Sequence, residues 1–579
     1  MDFKQELSKL IKISGLSQEQ VYAMLGFPPD PKMGDYCLPC FTLSKSMGKN
    51  PNEIAAEICK QVSGKGGIAK AEPLGGYANF TLDRSKFITP IMTELSSGRH
   101  LTELKSIGLG KTVCLDFSGV NIAKQPHVGH LSTTSIGAAI SRIHQLFGYK
   151  MIKINYLGDF GTQFGKLVVA FQKWGNKEEV EARGVAALQE LYIKVNAACE
   201  TDEVLLEECR AAVAKITERE PEAYGLFEWF KEITLKEVKG IYAPLNISFD
   251  DWRGEFHYSQ HAPQIYSELE QKGISKLSDG ATIVDLEPYG LGVAIVRKSN
   301  GSPLYLTNDL AAAIDRAKDY GFEKLIYLTG SEQKLHFKQV FKILELMGYK
   351  WSKDLVHITN GLYTLTTGKI SSRKGTTATV KNLFAEALEY AKTVLAERDG
   401  ESSDALARQI GIGALVFSAL KRERAKDVVF DLGAALAFEG DTSVYLQYTH
   451  ARCCTVLEKG ENSPLLREGV DDRAAEARAD GVAAEGAKAW LASNESWELL
   501  KLLNRETEIY RLALDTYEPS EISRYLLNLA AAFNAFYANE RIITDNANET
   551  NAKLQLVALV KSALATGLGL LGLSAPDRM

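Results

Sequence analysis

The sequence predicts an α/β chain in which a parallel sheet is divided by a helical insertion, with a small α+β domain before it and an all-helical domain after it. Three observations lead there. Residues 112–117 alternate as a strand through Val113, Leu115 and Phe117, cross a turn into a helix beginning near His130, and return to a second buried strand through Ile152 and Ile154. A strand, helix, strand run of this length is a parallel-sheet unit. A long charged helical stretch then separates that unit from further strand patterns at 281–286, 293–296 and 324–329. Helical periodicity dominates beyond about Gly400, where Ile522, Leu526, Leu529, Phe533 and Phe536 form one apolar stripe of the core type. The central part is therefore expected to be Rossmann-like.

Taken in order, residues 1–105 form the small domain. Phe3, Leu7, Leu10 and Ile11 mark a helix, a Pro/Gly-rich turn occupies 26–34, and Asn50-Pro51 opens a second helix through Ile54, Ala55, Ile58 and Val62. Residues 75–82 then alternate as a strand. The sheet domain spans 106–350, with the insertion at about 166–256, where runs such as Glu178-Glu179-Val180-Glu181 read as a solvated face. After the strands at 281–286 and 293–296 the pattern gives a turn at Ser299-Asn300-Gly301-Ser302, a strand at 304–306, a helix over 309–320 and the strand at 324–329. A linking region, 351–400, carries the segment TTGKISSRKGTT, and 401–579 is the helical domain.

At 579 residues the chain exceeds a single core, and its 45% hydrophobic and 24% charged content are those of a globular protein. No stretch approaches 18 uninterrupted apolar residues and the N-terminus lacks a signal-peptide core, so a cytoplasmic protein without a membrane span is expected. Cys37-Leu38-Pro39-Cys40 has no second pair at zinc-ribbon spacing, so it reads as reduced and structural, and no resident metal is assigned. With a net charge of −6 the chain does not hold nucleic acid by bulk charge; an RNA partner must be met by local basic faces and by unstacked bases.

Two segments carry chemistry. His127-Val128-Gly129-His130 sits where a strand hands over to a helix, and a helix N-terminus welcomes phosphate. His127 and His130 add donors, and Gly129 leaves room for a flat base. Gly158-Asp159-Phe160-Gly161 closes the second strand of the same unit, which gathers Asp159 with the two histidines at the strands' C-terminal ends. The second segment, 366–377, offers Lys369, Arg373 and Lys374 between Gly368 and Gly375, a composition suited to closing over phosphates. Residues 1–105, by contrast, carry no paired acid and base and no nucleophile beside a base.

With HVGH after the first strand, a split sheet and KISSRKG after its second half, the chain resembles the class I aminoacyl-tRNA synthetases, and more closely the arginyl-tRNA synthetase family. Asn121-Ile122-Ala123-Lys124, GDFGTQFG at 158–165, YLTND at 305–309, FEGDT at 438–442, YLQYTHAR at 445–452 and the ending Pro576-Asp577-Arg578-Met579 are similar to blocks of that family. The resemblance implies ATP-dependent ligation of arginine to its tRNA through an arginyl-adenylate, with magnesium accompanying ATP and a monomeric enzyme. It implies that His127, Gly129, His130, Lys369, Ser371, Arg373 and Lys374 meet ATP, with Lys124 as a further cation. The arginine pocket implied is Asp116, Asn121, Tyr305, Asp309 and Gln333, with Glu255 as an additional candidate. It also implies an N-terminal domain that reaches the tRNA and a C-terminal domain that reads the anticodon, where Tyr445, Tyr448 and Arg452 suit stacking and phosphate contact.

The chain departs from the family pattern at Asp116, where Glu is common, at Ser132 and Asn308, where Arg is common, and at Ser443-Val444, where Gly-Pro is common. None of these removes a reacting group, so an active enzyme is expected. Two other readings stay open at this point: a tRNA-binding regulatory protein that keeps the fold, and a class I synthetase for another amino acid.

Overall fold

Residues 3–299, 304–365, 379–399, 403–462 and 484–579 are described by the structure, a computed structural model. They group into two compact units, Met1–His100 with Arg452–Glu506 and Asn528–Ala563, and Leu101–Ala451 with Thr507–Leu527 and Leu564–Met579.

In the first unit, strands β1 (Tyr36–Pro39), β2 (Ile68–Leu74) and β3 (Tyr77–Leu82) form an antiparallel sheet in the order β1-β3-β2. Helix Pro51–Val62 starts where the sequence placed it: the Asn50 side chain accepts from the Asn52 N–H, Glu53 answers from the third position, and Pro51 fills the first. Its Ile54, Ala55, Ile58 and Val62 are buried. Asp35, buried at the start of β1, accepts hydrogen bonds from Leu82 N at 2.8 Å, Trp497 Nε1 at 2.9 Å and Lys501 Nζ at 2.8 Å.

The second unit holds the parallel sheet. Strands β4 (Thr112–Asp116) and β5 (Lys150–Ile154) pair in parallel, as the strand, helix, strand pattern requires, with helix Val128–Leu146 between them. Strands β6 (Ser275–Ser278), β7 (Ala281–Asp285) and β8 (Val293–Arg297) follow, then β9 (Lys324–Gly330) and β10 (Leu355–Asn360). The parallel sheet has the order β10-β9-β4-β5. The expectation that 281–286 and 293–296 resume this sheet is corrected: β6, β7 and β8 form their own antiparallel sheet. Alternation signals a strand with one buried face and is silent about its partner, and here Val284, Ala294 and Val296 pack into the core shared with Leu325 and Tyr327. The strand expected at 304–306 is corrected too. Tyr305 opens helix Tyr305–Tyr320, because Leu306, Leu310 and Ala313 recur at helical spacing and all three are buried. In the turn expected at 299–302, residues 300–302 lie outside the described residues.

The insertion is built from helices Thr162–Trp174, Lys177–Arg183, Val185–Cys199, Glu203–Thr217 and Pro221–Tyr242. It buries a core of its own around Val169, Ala170, Val195 and Cys209. Among the described residues beyond 400 the regular elements are helical apart from one strand: β12 (Val428–Phe430), a β-branched pair and an aromatic, lies parallel to β11 (Tyr363–Leu365). The stripe Ile522, Leu526, Leu529, Phe533 and Phe536 is fully buried. Helix Ala547–Leu571 is long and apolar enough to cross a membrane, and half of that stretch is buried within the fold. All eight cysteines are unbridged, and Cys37 and Cys40 are buried.

Candidate active site

The chain leaves β4 at Asp116 and reaches helix Val128–Leu146 through a loop whose backbone is strained at Ser118 (φ 76°) and Ala123 (φ 60°). Buried polar contacts hold it there. Ser118 Oγ lies 2.7 Å from Thr134 Oγ1 and 2.6 Å from Tyr242 OH; Asn155 donates to Tyr242 OH at 3.0 Å and accepts from Val120 N at 3.2 Å; Ala123 N donates to Thr234 Oγ1 at 3.1 Å. Tyr242 and Thr234 belong to the last insertion helix, so the insertion anchors the loop. The charge pattern read as solvated face gave no sign of this; the signal was two polar side chains set among Phe230, Val238 and Ile241.

His127 caps helix Val128–Leu146 reciprocally with His130. His127 Nδ1 accepts from Gly129 N at 3.1 Å, and His130 Nδ1 accepts from His127 N at 3.2 Å. Both rings therefore keep their proton on Nε2 when neutral. Desolvation lowers the pKa of His127, and desolvation aided by the neighbouring His127 pushes His130 down to about 4. The pair thus offers two neutral N–H donors beside a helix N-terminus rather than two cations.

Asp116 ends β4 against Arg316, whose Nη1 lies 2.8 Å from Asp116 Oδ2. Arg316 is 1% exposed, and Tyr156, Tyr258 and Tyr327 ring its guanidinium at 5.4, 5.9 and 5.7 Å. Burial pushes the Asp116 carboxyl up to about 6 against the pull of Arg316. Nothing in the reading of Asp116 as a pocket carboxylate anticipated this resident guanidinium; the only sequence trace is an arginine at the inward spacing of Leu306, Ala312 and Ala313.

Asp159 does not join the histidines. Its buried carboxylate accepts from Phe256 N at 2.8 Å and Lys231 Nζ at 2.9 Å, because a carboxylate placed there needs partners. It thereby fixes the turn that presents Glu255, where Gly254 is required: a Cβ there would sit 2.4 Å from Asp159 Oδ1 and 2.5 Å from Leu157 O. Burial, then Asp309 and Asp159, push Glu255 up to about 8.

These elements enclose one cavity of about 710 Å³ at the C-terminal ends of the parallel strands. His127, Gly129 and His130 line it together with Asp116, Asn121, Glu255, Tyr305, Asp309 and Gln333. Tyr305 is two-thirds exposed at the first turn of its helix, and Asp309, one turn on, has Oδ2 2.5 Å from His336 Nε2. Lys124 is exposed and does not line this cavity. Lys369, Ser371, Arg373 and Lys374 lie outside the described residues; the described chain resumes at Thr379, which bridges to His127, and Val380 N donates to Pro126 O at 3.0 Å. Tyr445 and Tyr448 are half-buried, Tyr448 edge-on to Phe438, while Arg452 donates to Asn534 Oδ1 and lies 5.1 Å over the Tyr537 ring.

The family model of tRNA synthetases class I (R), catalytic domain, matches residues 91–432. An arginyl tRNA synthetase N terminal domain model matches 1–82 and a DALR anticodon binding domain model 446–579. An arginine–tRNA ligase of Clostridioides difficile is 40% identical over 582 residues, covering all of both chains, and one of Halothermothrix orenii is 39% identical at the same coverage. Among solved structures, an arginyl-tRNA synthetase of Thermus thermophilus superposes with a TM-score of 0.73 at 23% identity, covering 96% of each chain. One of Plasmodium falciparum gives 0.73 at 21% identity, covering 96% of this chain and 94% of its own.

Proposed function

Because the chain belongs to the arginyl-tRNA synthetase family, it is an enzyme that joins arginine to tRNA with ATP as co-substrate, and we propose that it does so through an arginyl-adenylate made in the cavity at the strand ends. An arginine carboxylate oxygen attacks the α-phosphorus and pyrophosphate leaves. A ribose hydroxyl of the tRNA terminal adenosine then attacks the arginyl carbonyl carbon, gives up its proton, and AMP leaves. The nucleophiles belong to the substrates, so the protein supplies position and electrostatics.

The observation that carries this reading is that one cavity has neutral N–H donors, His127 and His130, at a helix N-terminus, and carboxylates elsewhere on its wall. The histidines donate to phosphate oxygens as charge shifts toward pyrophosphate. Glu255 and Asp309 receive the guanidinium, with Tyr305 and Gln333 beside them and Asn121 at the α-amino or carboxylate end. Asp116 is already paired, so it and Arg316 set the floor of the pocket in place of a direct ion pair with the substrate. Lys369, Ser371, Arg373 and Lys374 are assigned to the triphosphate on composition and on the return of the chain to His127 at Thr379. Lys124, off the wall, is kept as an outlying cation.

Magnesium accompanies ATP. Besides the carboxylates and the imidazoles, the wall offers neutral oxygens such as those of Thr133 and Asn121, which suits an ion held mainly by phosphate and water. We assign residues 1–105 and 401–579 to the tRNA, with Tyr445, Tyr448 and Arg452 as contacts, and read the enzyme as a cytoplasmic monomer, which sedimentation tests. Purified protein given ATP, magnesium, arginine and cognate tRNA should form arginyl-tRNA with one AMP per turnover, and citrulline, a neutral isostere, should neither charge nor compete. Binding of tRNA without AMP release, beside an active control, would overturn the assignment.

A further inference from the structure

His257, His261 and Asp315 form a cluster off the cavity wall that the chemistry above does not use. His257 stands in helix Glu255–Ser259 and His261 precedes helix Ala262–Gln271; Gln260 and His261 have right-handed helical backbone angles, so the four-residue spacing puts both imidazoles on one face, ring centroids 5.1 Å apart. Asp315 reaches them from helix Tyr305–Tyr320, with Oδ2 3.0 Å from His261 Nδ1 and 3.9 Å from His257 Nε2. One ligand atom from each residue lies within 4.8 Å of the others. The side chains are 43, 34 and 24% exposed, so an ion reaches them from solvent. Arg253, nearby, donates to Asp251, Asp319 and Tyr320 and leaves Asp315 to the histidines.

We propose that His257, His261 and Asp315 bind a divalent transition-metal cation of the zinc class. Metal–ligand bonds of about 2.0–2.2 Å in a tetrahedral shell set ligand atoms about 3.3–3.6 Å apart, a range that the two separations from Asp315 bracket. Two imidazoles select Zn2+, Ni2+ or Cu2+ over magnesium and calcium, which take oxygen, so this site is separate from the ion that travels with ATP. Three protein ligands leave a position for water. The ion ties the segment carrying Glu255 to the helix carrying Asp309, and so braces the acidic wall; this last consequence rests on the arginine site proposed above.

The test uses the full chain, stripped with chelator and titrated with Zn2+ by calorimetry and with Co2+ by visible absorption. One ion per chain is expected, with the cobalt bands of a four-coordinate nitrogen and oxygen shell and a zinc-dependent rise in melting temperature. The double variant His257→Ala, His261→Ala and, separately, Asp315→Asn should lose at least roughly tenfold in affinity, since a direct ligand matters more than the outer-shell partners whose loss already costs about that much. Circular dichroism without metal checks that the variants fold. No saturable uptake by the wild-type chain, or uptake that survives the double variant, overturns the site whether or not arginine is charged.

Discussion

Glu255 and His130 show how burial sets the form in which each residue meets its substrate. Glu255, pushed up to about 8, is protonated at neutral pH in the free enzyme. A bound guanidinium favours the carboxylate, so arginine binding at pH 7 should release close to one proton, and affinity should rise as pH approaches 8 and the carboxylate forms beforehand. Calorimetry in buffers of different ionisation heat reads this directly; Glu255→Gln should bind more weakly and without proton release, and wild-type affinity that is flat across pH 8 would refute the role. The same shift has a sign for stability. The folded chain holds a proton that the unfolded chain has lost between the ordinary glutamate value and about 8, so this residue makes the fold less stable as pH rises through that window. His130, at about 4, acts as a neutral donor. His130→Ala should slow adenylate formation by roughly 10²- to 10³-fold, as loss of one preorganised donor does, while leaving tRNA affinity near wild type. Equal losses in single-turnover adenylate formation and in tRNA binding would count against it.

Helix Tyr305–Tyr320 joins both sides of the arginine pocket, because its first turns offer Tyr305 and Asp309 to the cavity and its inward face carries Arg316 to Asp116. Arg316→Leu would leave Asp116 buried without its partner, which costs on the order of 3–5 kcal/mol. Asp116 can escape by taking a proton, so the loss measured by urea unfolding should be smaller at pH 5 than at pH 8. A pH-independent loss would mean that the pair is not the source. Elements of this kind were partly legible in the sequence. The helix after His127, the helix after Asn50 and the strand ending at Asp116 each announce themselves through local period or a cap. The strand expected at 304–306 failed because three residues carry no period, and the separate sheet of β6, β7 and β8 failed because alternation names no partner. Tyr242 and Thr234 could be seen only as polar residues on a buried helical face; that they hold the loop before His127 depends on contacts 124 and 111 residues apart.

Across the whole molecule, contacts between remote residues decide which segments cohere, and these leave no local pattern to read. The residues that line the cavity come from six stretches between Asp116 and Tyr363; Tyr305 and Asp309 could be read only in the company of neighbouring blocks, and the resident Arg316 that occupies Asp116 could not be read at all. The first unit makes the same point through Asp35, which binds Leu82 in its own sheet and Trp497 and Lys501 more than 460 residues along the chain. Asp35→Ala leaves the Trp497 indole N–H, buried, and the Lys501 ammonium without this acceptor, so a loss of about 3–5 kcal/mol is expected, larger than for an exposed ion pair. Because none of these residues lines the cavity, the loss should fall on the first unit alone. Urea unfolding should separate into an early step, seen in proteolysis of residues 1–100 and 484–506, and a later step with the wild-type midpoint that tracks ATP and arginine binding. A single transition in which both readouts shift together would show that the two units unfold as one cooperative body, with Asp35 stabilising all of it.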